Sequence, residues 1–306
     1  MVRILGFLVG LGFVGVAAWS LLWGAIAYVS EPPQETVEHH FHKHARSDVN
    51  FTFDGPFGRY DRQQLQRGFQ VYRDVCAACH SLRYVAFRNL HDLGYNEAEV
   101  RAIADQWQIQ VPSVNPDTGE PATRKALPSD RFPLPYANDT AARAANNNAL
   151  PPDLSLMVKA RHGGAPYIYS LLTGYQDPPA DLPAENRPGQ GLHYNPYFAN
   201  LNIAMPPPLA ADGQVTYADG TPATRDQMAR DVSAFLAWTA EPTLESQRQM
   251  GLVALIFLII ATILGYLSYQ NIWHGPSSRR VRETGVLAPE NQAKAAEAKS
   301  DAGIAG

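Results

Sequence analysis

Hydrophobic residues are concentrated in two long runs, one near each end of the chain. The runs Ile4–Val29 and Met250–Ile272 contain no charged residue. With a rise of about 1.5 Å per helical residue, each run can cross a hydrocarbon core of roughly 30 Å. The first run also has features of a secretory signal, because it follows Arg3 and contains the small residues Ala25–Ala27. Its length favours a retained membrane helix, so we expect a membrane span at each end of the chain.

Charges beside these runs predict how the chain is oriented. Arg3 precedes the first run, and Arg279, Arg280 and Arg282 follow the second. Because cytoplasmic flanks are enriched in Lys and Arg, both outer ends are predicted to face the cytoplasm and residues 31–248 to be exported. These residues hold 19 Lys and Arg against 25 Asp and Glu, a net charge of −6. This sign argues against a nucleic-acid partner and suits either simple solubility or a basic protein partner.

Two amphipathic helices are predicted inside the exported segment. The first begins after Asp61, a favourable N-cap, and Gln64 completes a capping-box pattern. The second follows Thr224, with Gln227 as its capping partner, and ends at Pro242. The predicted inner faces consist of Leu65, Phe69, Tyr72 and Val75 in the first helix and Met228, Val232, Phe235, Leu236 and Thr239 in the second. The proline- and glycine-rich region between these helices has few periodic segments and is expected to be mostly loop.

The chain has two cysteines, Cys76 and Cys79, in the sequence CAACH that ends in His80. Two cysteines cannot form a four-cysteine zinc site, and a thioredoxin-like pair would not require the histidine that follows. C-x-x-C-H is the attachment motif of c-type haem. We therefore predict one covalent haem c, joined to both cysteines, with the His80 imidazole as the proximal iron ligand. This attachment takes place outside the bacterial cytoplasm, which agrees with the predicted topology.

The position of the haem motif between the two helices predicts the fold class. We expect a mainly α, c-type cytochrome fold with long loop insertions, plus a C-terminal transmembrane helix and an N-terminal one. The predicted organisation is a membrane segment or signal peptide at 1–30, a polar linker at 31–50, a periplasmic cytochrome c domain at 51–248, an anchor helix at 249–273 and a cytoplasmic tail at 274–306.

A haem iron that transfers electrons needs a second axial ligand. Met205 is the favoured candidate, because the three prolines 206–208 stiffen its backbone and a weak thioether ligand benefits from preorganisation. The alternative is a methionine packed in the loop. Met157 and Met228 fall in predicted helices, where a core role is favoured. The tract HHFHKH, with His39, His40, His42 and His44, could bind a metal but is expected to be a solvated linker.

Sequence blocks from about Phe51 to about Trp273 resemble the cytochrome c1 family, whose members are the haem-bearing subunits of cytochrome bc1 complexes. In order along the chain they are “YDRQQLQRGFQVYRDVCAACHSLRY”, “ANNNALPPDLSLMVKARHGGAPYIYSLLTGY”, “NPYFANLNIAMPPPL” and “DGTPATRDQMARDVSAFLAWTAEP”. C-x-x-C-H alone is shared by many cytochromes. The longer blocks are far more specific to this family.

The resemblance implies roles for individual residues. Cys76 and Cys79 match the thioether attachment points, His80 matches the proximal ligand and Met205 the distal one. Arg161 matches an arginine that pairs with a haem propionate, which suits the bidentate geometry of a guanidinium beside a carboxylate. Three further positions match residues that line the haem pocket, with ordinary loop packing as the alternative: Asn146, Pro152 and Tyr167.

The resemblance also implies electron transfer within quinol–cytochrome c oxidoreductase, without substrate chemistry by this subunit itself. The implied electron donor is the Rieske iron–sulfur protein, and the implied acceptor is a soluble or membrane-anchored cytochrome c. Cytochrome b is the implied neighbour in a dimeric complex of the inner membrane. Two alternatives stay open: a membrane-anchored c-type electron shuttle outside any quinol oxidase, and a haem sensor or peroxidase with an open iron position.

The chain departs from the family pattern in three respects. It lacks the extra cysteine pair that closes a disulfide near the distal side in some bacterial relatives, so packing and proline alone are expected to hold the segment around Met205. A retained N-terminal membrane helix is also unlike the usual member. The tail 288–306 has no clear counterpart and is expected to be disordered or a frayed helix.

Overall fold

The computed structural model describes residues 2–31 and 36–273, together with tail positions 290, 291, 293, 294, 296 and 297. The chain divides into two compact units, one of residues 1–52 and 60–240 and the other of residues 53–59 and 241–306. Helices are α1 (Val2–Ser30), α2 (Val37–Phe41), α3 (Arg62–Val71), α4 (Glu97–Asp105), α5 (Asp139–Ala145), α6 (Met157–Ala160), α7 (Gly164–Thr173), α8 (Arg225–Ala240) and α9 (Leu244–Trp273). Strand β1 (Val111–Val114) pairs antiparallel with β2 (Pro121–Arg124), and β3 (His193–Tyr194) with β4 (Asn202–Ile203). The mainly helical class predicted from sequence is confirmed, whereas the predicted state of the tail falls largely outside the described residues.

Both predicted membrane helices are present. α1 and α9 contain 29 and 30 residues, and each is long and apolar enough to cross a membrane. Their large apolar side chains are exposed on all sides of the helix. A helix that is hydrophobic all round requires lipid or partner helices as its surroundings, so both helices suit membrane insertion.

The first two turns of α9 are polar and bind the short loop 53–59 of the same unit. Arg248 donates from Nη1 to the main-chain carbonyls of Phe53 at 2.7 Å and Gly58 at 2.8 Å. Gly58 leaves no room for a side chain, since a Cβ there would lie 2.3 Å from the Asp54 carbonyl oxygen. Charge-assisted bonds therefore fix this loop where the anchor helix begins.

The two predicted amphipathic helices are α3 and α8, and both N-caps are confirmed. The Asp61 carboxylate accepts from the amides of Gln63 and Gln64, and the Thr224 hydroxyl accepts from the Gln227 amide at 3.1 Å. Val75 is only half-buried. The other predicted inner-face residues are buried, namely Leu65, Phe69, Tyr72, Met228, Val232, Phe235, Leu236 and Thr239.

Helices α3 and α8 approach each other closely at Gly68. A Cβ at this position would lie 2.0 Å from the Asp231 carbonyl oxygen, so only glycine permits the approach. Beside it, Arg67 donates to the fully buried Asp231 carboxylate at 2.9 Å and to Asp219 at 2.8 Å. A buried carboxylate needs such a partner, because an unpaired buried charge is strongly destabilising.

The region between α3 and α8 is largely irregular, as predicted, but it contains helices that its pattern does not indicate. α4 begins with a complete capping box formed by Asn96 and Glu99. α7 buries Ala165, Ile168 and Tyr169. These helices have nine and ten residues, and each buries so few apolar side chains that no clear helical period stands out.

Residues 36–50, predicted to be part of a polar linker, pack on the first unit. In α2, Val37 and Phe41 are one helical turn apart and contact the same buried cluster. Its members are Leu182, Tyr194 and Leu201. Further along, the Arg46 guanidinium lies 5.5 Å from the centre of the Tyr169 ring. Apolar packing and a cation–π contact thus anchor this segment.

The histidine-rich tract within this segment faces solvent for the most part. His39, His40 and His44 are exposed. His42 is half-buried and stands edge-on to His44, with 5.8 Å between the ring centres. The predicted solvated placement is therefore confirmed for three of the four histidines.

Candidate haem site

The attachment sequence follows the end of α3 and is shaped by one wide helical turn. Residues Tyr72–Cys76 form a π-helical turn, closed by a 2.8 Å bond from the Ala77 amide to the Tyr72 carbonyl. The amides of Cys79 and His80 then both donate to the Cys76 carbonyl, at 3.1 and 2.9 Å. A π-turn redirects the side chains that follow it and is frequent at functional sites. This end of the helix therefore presents two thiols and an imidazole on one short stretch of chain.

Cys76 and Cys79 are free thiols, each half-buried. Burial, assisted by the neighbouring Cys79, raises the pKa of the Cys76 thiol to about 12, so this thiol is neutral at neutral pH. The Tyr136 hydroxyl lies 3.7 Å from Cys79 Sγ and also hydrogen-bonds with the Asn146 side chain. Tyr136 therefore connects Asn146, a predicted pocket residue, to the attachment motif.

His80 is oriented by one hydrogen bond from its ring. Nδ1 lies 2.8 Å from the main-chain carbonyl of Pro152. Because a carbonyl can only accept, Nδ1 carries the proton and Nε2 keeps a free lone pair. Burial lowers the pKa of His80, although the bond to Pro152 acts in the opposite direction, so the ring is neutral at neutral pH. The Tyr72 hydroxyl also donates to the His80 carbonyl, at 3.0 Å.

Asp153, the residue after Pro152, clamps this segment onto the chain that follows the haem motif. Its carboxylate accepts from the Ser81 hydroxyl at 2.7 Å, the Arg83 amide at 2.9 Å and the Ser155 amide at 3.0 Å. Burial alone would raise the pKa of Asp153, but the hydrogen bonds from Arg83, Ser155 and Ser81 outweigh it and lower the pKa below its ordinary value. The ionised carboxylate therefore stabilises the position from which Pro152 contacts His80.

Arg161 and Tyr167 lie on either side of the start of α7 and contact each other. The Arg161 side chain hydrogen-bonds Tyr167 and donates from Nη1 to the Ala160 carbonyl at 3.3 Å. Both partners are uncharged, so these contacts leave the positive charge of the guanidinium uncompensated. Burial raises the pKa of Tyr167, with Arg161 acting in the opposite direction, and its hydroxyl stays protonated at neutral pH.

Met205 lies on a segment of residues 202–210, with bends at Ala204, Met205 and Pro208, which we call the Met205 strap. The strap begins with β4, paired with β3, and continues through the three prolines. Met205 is half-buried, and its main-chain carbonyl accepts a 3.0 Å hydrogen bond from the Tyr175 hydroxyl. Burial raises the pKa of Tyr175, so that hydroxyl is a donor throughout the physiological pH range.

The contacts gather the predicted site residues into two groups. One group consists of Cys76, Cys79, His80, Asn146 and Pro152. The other consists of the contacting pair Arg161 and Tyr167, together with Met205, which is contacted by Tyr175 just after the helix that carries Tyr167. Together they supply two thiols, a neutral imidazole with a free nitrogen, a thioether and an exposed guanidinium. These functional groups fit a covalently attached haem with carboxylate propionates.

Sequence patterns did not identify three residues of this region: Tyr136, Asp153 and Tyr175. Each lies in or near a block that resembles the family, but its partner is distant in sequence. Tyr136 is 57 residues from Cys79, Asp153 is 72 from Ser81, and Tyr175 is 30 from Met205. The double proline before Asp153 was the one local signal. It marks a rigid segment, which indicates that a neighbouring side chain holds the segment in place.

The Asp153 clamp gives a testable consequence for stability. Asp153→Asn removes the charge and turns one acceptor oxygen into a donor facing other donors. We expect the free energy of unfolding of the full-length holoprotein in detergent to fall by about 2–3 kcal/mol, because hydrogen bonds to charged groups are among the stronger ones. Denaturant unfolding followed by haem absorbance measures it. Asp105→Asn is the control. The 2.8 Å ion pair of Asp105 with Lys125 is exposed, so losing it should lower the free energy of unfolding by less than about 1 kcal/mol. Equal losses of stability in the two variants would contradict the role of Asp153.

Comparison with known proteins agrees with this site. Residues 51–275 match the model described as the Cytochrome C1 family. The chain is 45% identical over 236 residues to cytochrome c1 of Rhodospirillum rubrum, covering 73% of this chain and 86% of that protein. It is 42% identical over 275 residues to a mitochondrial cytochrome c1 haem protein of Arabidopsis thaliana, covering 88% of this chain and 86% of that protein. It is 44% identical over 270 residues to the mitochondrial cytochrome c1 haem protein of Saccharomyces cerevisiae, covering 87% of this chain and 84% of that protein. The chain belongs to the cytochrome c1 family.

Proposed function

We propose that Cys76 and Cys79 carry the covalent haem c of this chain, with His80 Nε2 as the proximal iron ligand and Met205 as the distal one. The bound haem supplies a metal centre that gains and loses one electron. The Arabidopsis and yeast relatives are named as haem proteins. The observation that carries the assignment is the 2.8 Å contact of His80 Nδ1 with the Pro152 carbonyl, because it leaves Nε2 as the nitrogen free to bind metal.

The surrounding residues then have distinct tasks. The hydrogen bond from His80 Nδ1 fixes the tautomer and raises the basicity of the ligating nitrogen. A thioether from Met205 favours reduced iron relative to a second imidazole and so raises the reduction potential. Arg161 supplies the charge that would pair with a haem propionate, and Tyr167 holds its guanidinium. None of these groups performs substrate chemistry, so the contribution of this subunit is electron transfer.

Cytochrome c1 is the haem-containing, electron-transferring subunit of the cytochrome bc1 complex. A Candida albicans relative, 42% identical over 273 residues, is named a catalytic subunit of the cytochrome b-c1 complex. For this chain we propose cytochrome b as the membrane neighbour, the Rieske iron–sulfur protein as electron donor and a soluble or membrane-anchored c-type cytochrome as acceptor. In this role it takes part in quinol–cytochrome c oxidoreductase activity.

The proposed location is the inner membrane, with the haem site on the periplasmic side and the C-terminus in the cytoplasm. Two helices long enough to cross a membrane support it, as does the sequence between them, which carries a net charge of −6. An acidic exported surface attracts a basic electron acceptor from a distance. The association rate should then fall as ionic strength rises.

Two other functions have weaker support. A membrane-anchored shuttle outside any quinol oxidase would share every haem feature, but the family match over residues 51–275 includes the segment that leads into and through the anchor helix. A sensor or peroxidase needs an open iron position. The Met205 strap, with its carbonyl tied to Tyr175, argues against such an opening.

The distal ligand can be tested by Met205→Leu, which keeps side-chain volume but removes the thioether. We expect covalent haem to remain and the midpoint potential to fall by on the order of 0.1–0.3 V, within the range of about 0.8 V that axial ligands span. A redox titration of the full-length holoprotein measures the shift. The control is Met228→Leu, a buried core methionine of α8, which should leave the potential unchanged. An unchanged potential in Met205→Leu would show that this residue is not the ligand.

Membership of the complex predicts which proteins accompany the chain. A full-length tagged chain extracted in mild detergent should bring down a cytochrome b and an iron–sulfur protein in stoichiometric amounts, because α1 and α9 expose apolar faces that need neighbours in the membrane. Spectra of b-type haem and the electron paramagnetic resonance of the iron–sulfur cluster identify the two partners. Isolation of the intact holoprotein alone, under conditions that keep other membrane complexes together, would instead support the shuttle.

A further inference from the structure

The Met205 strap lacks main-chain hydrogen-bond donors in the three residues that follow Met205. Pro206, Pro207 and Pro208 have no N–H group. Both cysteines of the chain lie in CAACH, so no disulfide can hold the strap. Proline limits the conformations of a segment, but it does not fix where the segment lies relative to the rest of the protein. At the prolines themselves, only carbonyl oxygens are left to form main-chain hydrogen bonds, whereas Asn202 at the start of the strap donates from its side chain to the Asn186 carbonyl at 2.8 Å.

Two side chains bind carbonyls of the strap. Gln214 donates from Nε2 to the Pro208 carbonyl at 2.9 Å, and its Oε1 accepts from the Ala210 amide at 2.9 Å. This residue closes the far end of the strap onto the loop that follows. Tyr175 donates to the carbonyl of Met205 itself, at 3.0 Å. Tyr175 therefore ties the thioether-bearing residue to a separate part of the fold.

Tyr175 is firmly placed because it follows directly from α7. Asn195, which is fully buried, donates to the Leu171 carbonyl in the last turn of that helix at 2.7 Å. The Tyr197 ring covers Gly174 so closely that a Cβ there would lie 2.4 Å from a ring carbon. The backbone on the N-terminal side of Tyr175 therefore has little freedom to move.

The Tyr175 ring also reaches the strand that begins the strap. It stands edge-on to His193 with 6.5 Å between ring centres, and His193 of β3 is the register partner of Ile203 in β4. The same aromatic side chain thus contacts the strap ladder with its ring and Met205 with its hydroxyl. α7 also carries Tyr167 near its start, where it hydrogen-bonds the Arg161 guanidinium. The residues that contact Arg161 and Met205 therefore lie at the two ends of one helix.

We propose that Tyr175 is a positioning residue for the distal iron ligand, and that its hydroxyl keeps the Met205 thioether at the iron by holding the Met205 carbonyl. The inference rests on the proposed ligand role of Met205. The hydroxyl contacts main chain rather than sulfur, so it acts on the equilibrium between a closed strap and an open one. An exogenous ligand binds iron only when the strap is open, and its apparent affinity rises with the open fraction.

Tyr175→Phe tests this directly, because it removes the hydroxyl and retains the ring that packs near His193. Imidazole is titrated into the ferric full-length holoprotein, and loss of the sulfur-to-iron charge-transfer band reports displacement of the thioether. We expect the imidazole affinity of the variant to rise about 2- to 10-fold, the equilibrium effect of losing one typical protein hydrogen bond. The midpoint potential should shift far less than in Met205→Leu, since the ligand itself is unchanged.

Tyr60→Phe is the matched control. It loses a hydrogen bond of the same kind, from a tyrosine hydroxyl to the Ala237 carbonyl at 3.2 Å, far along the chain from the strap. It should lower unfolding stability by a similar amount and leave the imidazole affinity unchanged. If Tyr175→Phe had wild-type affinity, or if both variants changed it equally, the inference would be overturned.

The result also separates this inference from the proposed function. Absence of the sulfur-to-iron band in the wild-type protein would remove Met205 as a ligand, and the role of Tyr175 with it. A band that is present in the wild type, lost in Met205→Leu and equally resistant to imidazole in Tyr175→Phe would overturn the positioning role alone.

Discussion

The hydrogen bond between His80 Nδ1 and the Pro152 carbonyl is the contact on which the rest of the site depends. At 2.8 Å it fixes both the orientation and the tautomer of the imidazole. It can form only if two segments 72 residues apart stay in register, and the Asp153 carboxylate provides that register through its bonds to Ser81 and Arg83. Helix α3 delivers the imidazole from one side, and its close approach to α8 at Gly68 fixes the helix itself. The orientation of the His80 ring therefore depends on the helix packing at Gly68 and on the hydrogen bonds of Asp153.

The two sides of the site are held by different physical means. His80 follows a helix end and is held by hydrogen bonds from Tyr72 and to Pro152, beside the Asp153 carboxylate. Met205 belongs to an irregular strap without main-chain donors at its prolines, and its carbonyl accepts a hydrogen bond from Tyr175. The His80 ring itself is held through Nδ1, whereas the hydroxyl of Tyr175 reaches the main chain of Met205 rather than its side chain. With Met205 as the proposed distal ligand, we expect ligand exchange to begin on that side, and Tyr175 would influence it without taking part in the chemistry.

Local chemistry determined which parts of this structure could be predicted from the sequence. Asp61 and Thr224 predicted two helices because N-caps act within three residues. CAACH predicted the cofactor because its three functional groups lie within five consecutive residues. Short helices such as α7 bury too few side chains to show a period. Tyr175 and Asp153 act on partners 30 and 72 residues away, a separation that no local pattern encodes. Residues 36–50 had a polar composition, yet Val37 and Phe41 dock them on a cluster that only the folded chain assembles.

Carbon monoxide distinguishes a haem iron with both axial positions occupied from one with an open position. The gas binds ferrous haem that has an open or easily vacated position. The full-length protein, reduced with dithionite at neutral pH, should keep its absorption spectrum unchanged under carbon monoxide, because the proposed ligands His80 and Met205 would hold both axial positions. A rapid spectral shift to a carbon monoxide complex in the intact wild-type protein would contradict the account, since the iron would then have a free face and electron transfer would no longer be the function best supported.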